Sequence, residues 1–235
     1  MKIYLRIIVF INVIFNSYLN AAVTSFQQGV DGYSGSRDTA LIGGGAWGDY
    51  DFSSFDELGV SLNSRQGLLR FTNIFGSETG QIPSDSSIQS ATLELTRFGG
   101  TTTPNASGYR VLSYWSDTDT YNSLGNGLQT NGIEAASTPD FSGLGDGSIA
   151  RLSPQSFDVL EAVSYWQTNP SLNYGWVLSG GQSSTLQIAS SDNSNISYRP
   201  RLVVEFTPGP IPLPAGIYLF LSGLVGLGLM RGRNG

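Results

Sequence analysis

The chain contains no cysteine and no histidine, and its single lysine is Lys2. Without cysteine, neither a disulfide nor a thiolate zinc site can hold the fold, so packing and hydrogen bonds must do so. Without histidine, the commonest general base, the usual partner of a nucleophilic serine and the commonest transition-metal ligand are all missing. Without a second lysine, there is no Schiff-base amine or serine–lysine pair beyond the N-terminal stretch. Carboxylates remain as the acid–base groups, and the sequence predicts a protein that is not an enzyme.

Basic charge is also scarce. The twelve Lys and Arg face eighteen Asp and Glu. Lys2, Arg6, Arg231 and Arg233 belong to the two ends, which hold no acid, so residues 23–207 carry eight arginines against eighteen acids, net −10. Such a field repels nucleic acid and anionic lipid headgroups, and no nucleic-acid partner is expected.

Long apolar runs occur only at the two ends. Lys2 and Arg6 precede "IIVFINVIF", and Ala21 and Ala22 follow at the distance of a signal-peptidase site. Residues 1–22 read as a cleaved signal peptide, with a retained anchor as the alternative because Leu19 or Asn20 stands where a second small residue is usual. At the other end, Ile211 to Met230 is free of charge. As a helix, such a stretch reaches about 30 Å, the thickness of bilayer hydrocarbon. Arg231 and Arg233 then place the preceding chain on the far side of the membrane. A buried core helix is the competing reading, disfavoured by Gly216, Gly223, Gly226 and Gly228.

The order Pro212, Leu213, Pro214, Ala215, Gly216, then a glycine-spotted apolar span, then Arg231 and Arg233, resembles the VPLPA variety of the PEP-CTERM sorting signal, with Ile211 in place of valine. The resemblance covers the last 25 residues or so. It implies export in a Gram-negative bacterium, processing by a membrane exosortase, and a destination at the outer surface or in the extracellular matrix. The tail is thus assigned to 208–235, anchored in the membrane transiently or permanently.

Between the ends, residues 23–207 suffice for one domain with a proper core. Gly, Ser, Thr, Asn and Asp crowd it, and its apolar residues alternate over short runs. In "ATLELT", Ala91, Leu93 and Leu95 share one side and Thr92, Glu94 and Thr96 the other, the period of a half-wet strand. Further strands are expected at 67–71, 109–114, 174–179, 185–190 and 201–206, and the class is all-β. One segment differs: Phe157, Leu160, Val163 and Trp166 recur three apart before Pro170, predicting a short amphipathic helix across one end. Two glycine-rich stretches, 43–59 and 121–149, are long enough to be functional loops.

"SFQQGVDGYSGSRDTAL" (25–41), "RQGLLRF" (65–71), "IPSDSSIQSATLEL" (82–95), "FDVLEAVSYWQTNPSLNYGWVL" (157–178) and "SDNSNISYRPRLVVEF" (191–206) together resemble the DNRLRE domain family, also classed with carbohydrate-binding module family 96. The resemblance implies a jelly-roll β-sandwich that binds extracellular polysaccharide, acidic kinds included.

Sugar recognition uses flat apolar faces for pyranose C–H groups and planar polar groups for hydroxyls. Trp166 and Trp176 read as core. Trp47, within "GGGAWGDYDF", reads as an exposed platform with Tyr50 beside it, while Trp115 and Tyr121 flank "SDTDT" and fall between the two cases. With Arg110 they form the expected ligand-binding set. Most of the arginines read as salt-bridge or sheet-edge residues; a uronic-acid polymer would need some guanidiniums in a groove, and if none converges on one, a neutral glycan is the better fit. Asp49, Asp51, Asp56 and Glu57, Asp117 and Asp119, and Asp31 and Asp38 are either solvated loop acids or donors for a structural calcium, though none follows an EF-hand spacing. Paired carboxylates for glycoside hydrolysis are available in any acidic sequence and carry little weight. The competing function is a structural or adhesive matrix protein that binds proteins or copies of itself.

Overall fold

The computed structural model describes residues 20–210 apart from 63, 101–105, 147–149 and 182–183. The expected signal peptide lies outside these residues but for its last three, and the expected sorting motif and membrane helix lie wholly outside them. No helix among the described residues is long and apolar enough to cross a membrane. Ala21–Pro208 form one compact unit.

Its strands are β1 (Ala22–Gln27), β2 (Ser36–Ile42), β3 (Glu57–Val60), β4 (Arg65–Phe71), β5 (Ser87–Gly100), β6 (Ala106–Arg110), β7 (Phe141–Leu144), β8 (Pro154–Asp158), β9 (Trp176–Gly180), β10 (Leu186–Ala189) and β11 (Arg201–Thr207), with one helix, α1 (Leu160–Thr168). They form two antiparallel sheets. One runs β1-β11-β5-β10-β3, with β8 also pairing β5; the other runs β2-β4-β9-β6-β7. The expected all-β class is therefore the observed one.

Alternation explains the layering. Ala91, Leu93 and Leu95 of β5 are buried, as are Leu202, Val204 and Phe206 of β11, while the residues between them in β11 stay half-exposed. These side chains meet Ala40, Leu69, Phe71, Trp176 and Leu178 of the other sheet in one core. Trp166 of α1 packs on Trp176 with ring centroids 4.6 Å apart, so both tryptophans are core residues, as their spacing predicts. A second apolar cluster covers the far side of the β2-β4-β9-β6-β7 sheet, where Leu41, Leu68 and Val177 meet Val111, Trp115, Leu128 and Ala135 from the segment after β6.

The helix is shorter than the three-residue spacing predicts. Phe157 belongs to β8 and pairs with Leu93, and α1 begins at Leu160, whose N–H donates to Asp158 Oδ1 at 2.9 Å. At its far end, Pro170 starts a 3-10 turn, since a residue preceding proline is driven out of the helical region. The strand expected over 109–114 ends at Arg110; Val111 instead donates to Gly175 O and bridges Ala135, which turns the chain out over the sheet.

β3 lies at one edge of its sheet and β2 at one edge of the other. They are joined by residues 43–56, and β3 passes to β4 through a turn in which Ser61 N donates to Arg65 O at 3.1 Å. The 43–56 connection therefore lies at the seam where the two layers meet.

Candidate functional site

Four rings crowd this connection. Phe52 is buried and forms the centre: its ring lies 6.2 Å from Trp47, 4.9 Å from Tyr50 and 4.9 Å from Phe55. The outer three face solvent, Trp47 at 57%, Tyr50 at 47% and Phe55 at 40% exposure. Three such rings together form an exposed apolar patch rather than scattered surface residues. Beneath them is a cavity of about 190 Å³ lined by Ala40 and Ile42 of β2, Glu57 and Gly59 of β3, Arg65 of β4, and Trp47, Phe52 and Phe55.

Polar anchors hold the connection. Ser190 Oγ donates to Phe55 O at 2.6 Å, Ser190 N to Asp56 O at 3.1 Å, and Asn193 Nδ2 to Asp56 O at 2.9 Å. On the other flank, Asn122 N donates to Gly48 O and Asn122 Nδ2 to Asp49 Oδ1, both at 2.9 Å. Close approach needs glycine here: a Cβ on Gly43 would sit 2.8 Å from the Tyr121 ring, and one on Gly48 would sit 2.7 Å from the Asn122 amide. Trp47, Tyr50 and Tyr121 thus come to the same region of the molecule.

Tyr121 lines a second crevice of about 280 Å³ with Gln66, Asn126 and Gln129, and Arg65 is a wall of both. Gln66 accepts from Leu128 N at 2.9 Å and donates to Leu128 O at 2.8 Å, which fixes the crevice floor.

Two expected site residues are elsewhere. Trp115 has 0% exposure, donates its Nε1–H to Tyr174 O at 2.7 Å and lies under the Arg70 guanidinium at 4.7 Å, so its ring offers no surface to a ligand. Arg110 packs over the Tyr165 ring at 4.8 Å and faces Glu161 at 4.0 Å, lining a different cavity of about 510 Å³ beside α1 with Asp140 and Asp158. In that cavity, burial raises the Asp140 carboxyl, opposed by Arg110 and by the hydrogen bond from Trp176 Nε1 at 2.9 Å.

The acidic clusters do not gather. Among the described residues no group of three or more Asp or Glu side chains is placed to hold a metal ion. Asp51 Oδ1 accepts from Ser53 N at 2.8 Å, and Asp117 lies 3.3 Å from Arg37 and 3.7 Å from Arg70. Asp38 is not a solvated loop acid. It is buried on β2, accepts Ser191 N on Oδ2 at 2.6 Å, leaves Oδ1 unpartnered, and is pushed up to about 7 by burial.

Phe52, Phe55, Glu57 and Arg65 complete the site and were not singled out as ligand residues by sequence reasoning. The recurring aromatic–acid pattern of "WGDYDFSSFDE" was the available signal for the first three. Arg65 had none, since nothing local separates it from arginines in salt bridges. No protein-family profile matches the sequence, and no curated protein matches it.

Proposed function

We propose that the chain is an exported, non-catalytic polysaccharide-binding module with a jelly-roll β-sandwich, acting at the outer surface or in the extracellular matrix of a Gram-negative bacterium. The observation that carries this is the Trp47–Tyr50–Phe55 patch above a cavity that also presents Glu57 and Arg65. Flat apolar faces beside planar polar groups are what a pyranose ring requires. The resemblance of residues 25–206 to the DNRLRE family supports both the jelly-roll topology and the ligand class. That of residues 212–233 to a PEP-CTERM signal supports exosortase processing and attachment through the membrane-spanning tail.

Catalysis is disfavoured by the cavity itself. Glycoside hydrolysis uses two carboxyls about 5–9.5 Å apart across the scissile bond, and among the described residues Glu57 is the one carboxylate lining this cavity. Affinity electrophoresis of the full-length chain through gels carrying single polysaccharides tests the proposal. Retardation by at least one polymer, lost in Trp47→Ala, is the expected result; migration unaffected by every polymer tested would reject it.

The same exposed rings also suit a protein partner or a second copy of the chain, the structural or adhesive alternative. Sedimentation of the full-length protein in mild detergent separates the two, since self-association that Trp47→Ala abolishes would favour the alternative.

A further inference from the structure

Resting on the Trp47 cavity as the glycan site, we infer that the bound glycan is uncharged, held by Arg65 as donor and Glu57 as acceptor. Arg65 differs from six of the seven other arginines of residues 23–207 in being free; the seventh, Arg97, also has no carboxylate or carbonyl partner among the described residues, but its Nε is buried. Arg37, Arg70, Arg110 and Arg201 each have a carboxylate within 4.0 Å, and Arg151 and Arg199 donate to backbone carbonyls. Among the described residues Arg65 has neither. Its stem lies across β3 where a side chain is missing: a Cβ on Gly59 would sit 3.4 Å from Arg65 Cδ and 3.5 Å from Nη1.

Glu57 is set from the other side. Gln187 Nε2 donates to its Oε1 at 2.5 Å, and among the described residues its second oxygen has no donor. A guanidinium offers only donors and an ionised carboxylate only acceptors. Adjacent sugar hydroxyls, each both donor and acceptor, satisfy the two at once.

Charge decides against an acidic polymer. Arg65 alone would attract a carboxylate, but Glu57 shares its cavity, and Asp49, Asp51 and Asp56 lie on the same connection. Each approach of like charges to about 4 Å costs about 1 kcal/mol even in water. An anionic chain lying along Trp47 and Tyr50 would meet these acids repeatedly, whereas a neutral one meets none of this repulsion. The cavity volume of 190 Å³ falls below the about 300–1,000 Å³ of sites that enclose a drug-sized ligand. It suits one ring of a longer chain whose neighbours lie outside on the exposed aromatics.

The test runs the full-length protein in mild detergent through gels of neutral polymers (β-glucan, galactomannan) and acidic ones (alginate, polygalacturonate), at low and high salt. Retardation by a neutral polymer that changes little with salt is expected. Arg65→Ala and Arg65→Lys should each weaken it about tenfold, the scale of one hydrogen bond to a charged group, with the melting temperature unchanged. Glu57→Gln should weaken neutral binding and strengthen any residual acidic binding. Retardation by acidic polymers alone, weakening with salt, would overturn the uncharged-glycan inference and leave polysaccharide binding standing. An unaltered affinity in both Arg65 variants would also overturn it. Retardation by no polymer would overturn both.

Discussion

Two long glycine-rich connections each carry a tryptophan after a strand, and they treat it in opposite ways. The segment between β6 and β7 lies over a sheet, and its Val111, Trp115, Leu128 and Ala135 close a core with Leu41, Leu68 and Val177. The β2–β3 connection lies on a seam between two sheet edges and is fixed by hydrogen bonds from Ser190, Asn193 and Asn122 to its own carbonyls and Asp49. Where apolar burial holds a loop, its tryptophan is consumed by the fold. Where polar anchors hold it, only Phe52 is needed inside, and Trp47, Tyr50 and Phe55 remain at the surface.

The sharpest way to break this contrast is to truncate both tryptophans and compare stability. Trp115→Ala should destabilise by about 3–5 kcal/mol, the range for removing a large buried aromatic, because the Tyr174 carbonyl and the Arg70 guanidinium also lose their partner. Urea or thermal unfolding measures it. A loss under about 1 kcal/mol would mean that the cover is only loosely held, contrary to its burial.

Behind the polar-anchored loop sits Asp38, whose bond to Ser191 N holds the segment that anchors Phe55 and Asp56. Burial raises its carboxyl from 3.8 to about 7, so the folded chain keeps this proton where the unfolded chain has lost it. The unfolded state then binds fewer protons, and stability falls as pH rises. The contribution is complete below pH 3.8 and is lost as pH passes about 7, amounting to a few kcal/mol. Asp38→Asn cannot ionise, so the stability difference between it and the parent should swing toward the variant across that window. Urea midpoints at several pH values read the difference, and a constant offset would contradict the assignment. Ser190→Ala should cost less, about 1–3 kcal/mol, by leaving the Phe55 carbonyl without its hydroxyl donor. Faster proteolytic nicking within 43–56 would locate the damage at the anchor.

How far each feature could be read from sequence follows the same division between local and distant causes. Trp47 was legible because the glycines and acids around it form no regular apolar run that would carry it into a core. Trp166 and Trp176 were legible from periodicity. Trp115 was not, because its cover is Leu128 and Ala135, more than ten residues further along and without a regular period. Phe157 matched the helical spacing by coincidence, since a strand residue placed three before α1 continues the same count. Arg110 was drawn toward the site by composition, but pairing of β6 with β9 carries it to the α1 side. Glu57 and Arg65 stand eight positions apart and meet only because β3 and β4 belong to different sheets joined by a tight turn. The all-β class is a sum of many short alternating runs and survives such local errors. A site built across two sheet edges does not.

The smallest expected effect is also the one that separates a surface made for a ligand from a surface left over. Trp47→Ala should alter stability by no more than about 0.5 kcal/mol, as at other exposed positions, because the ring is mostly in solvent and Phe52 keeps the buried place. It should at the same time abolish retardation by polysaccharide, since the stacking face goes with it. Unfolding curves and affinity gels on the same preparation give both numbers. Were Trp47→Ala to destabilise as strongly as Trp115→Ala, the exposed ring would be a structural prop like its counterpart, and the aromatic patch would need no ligand to account for it.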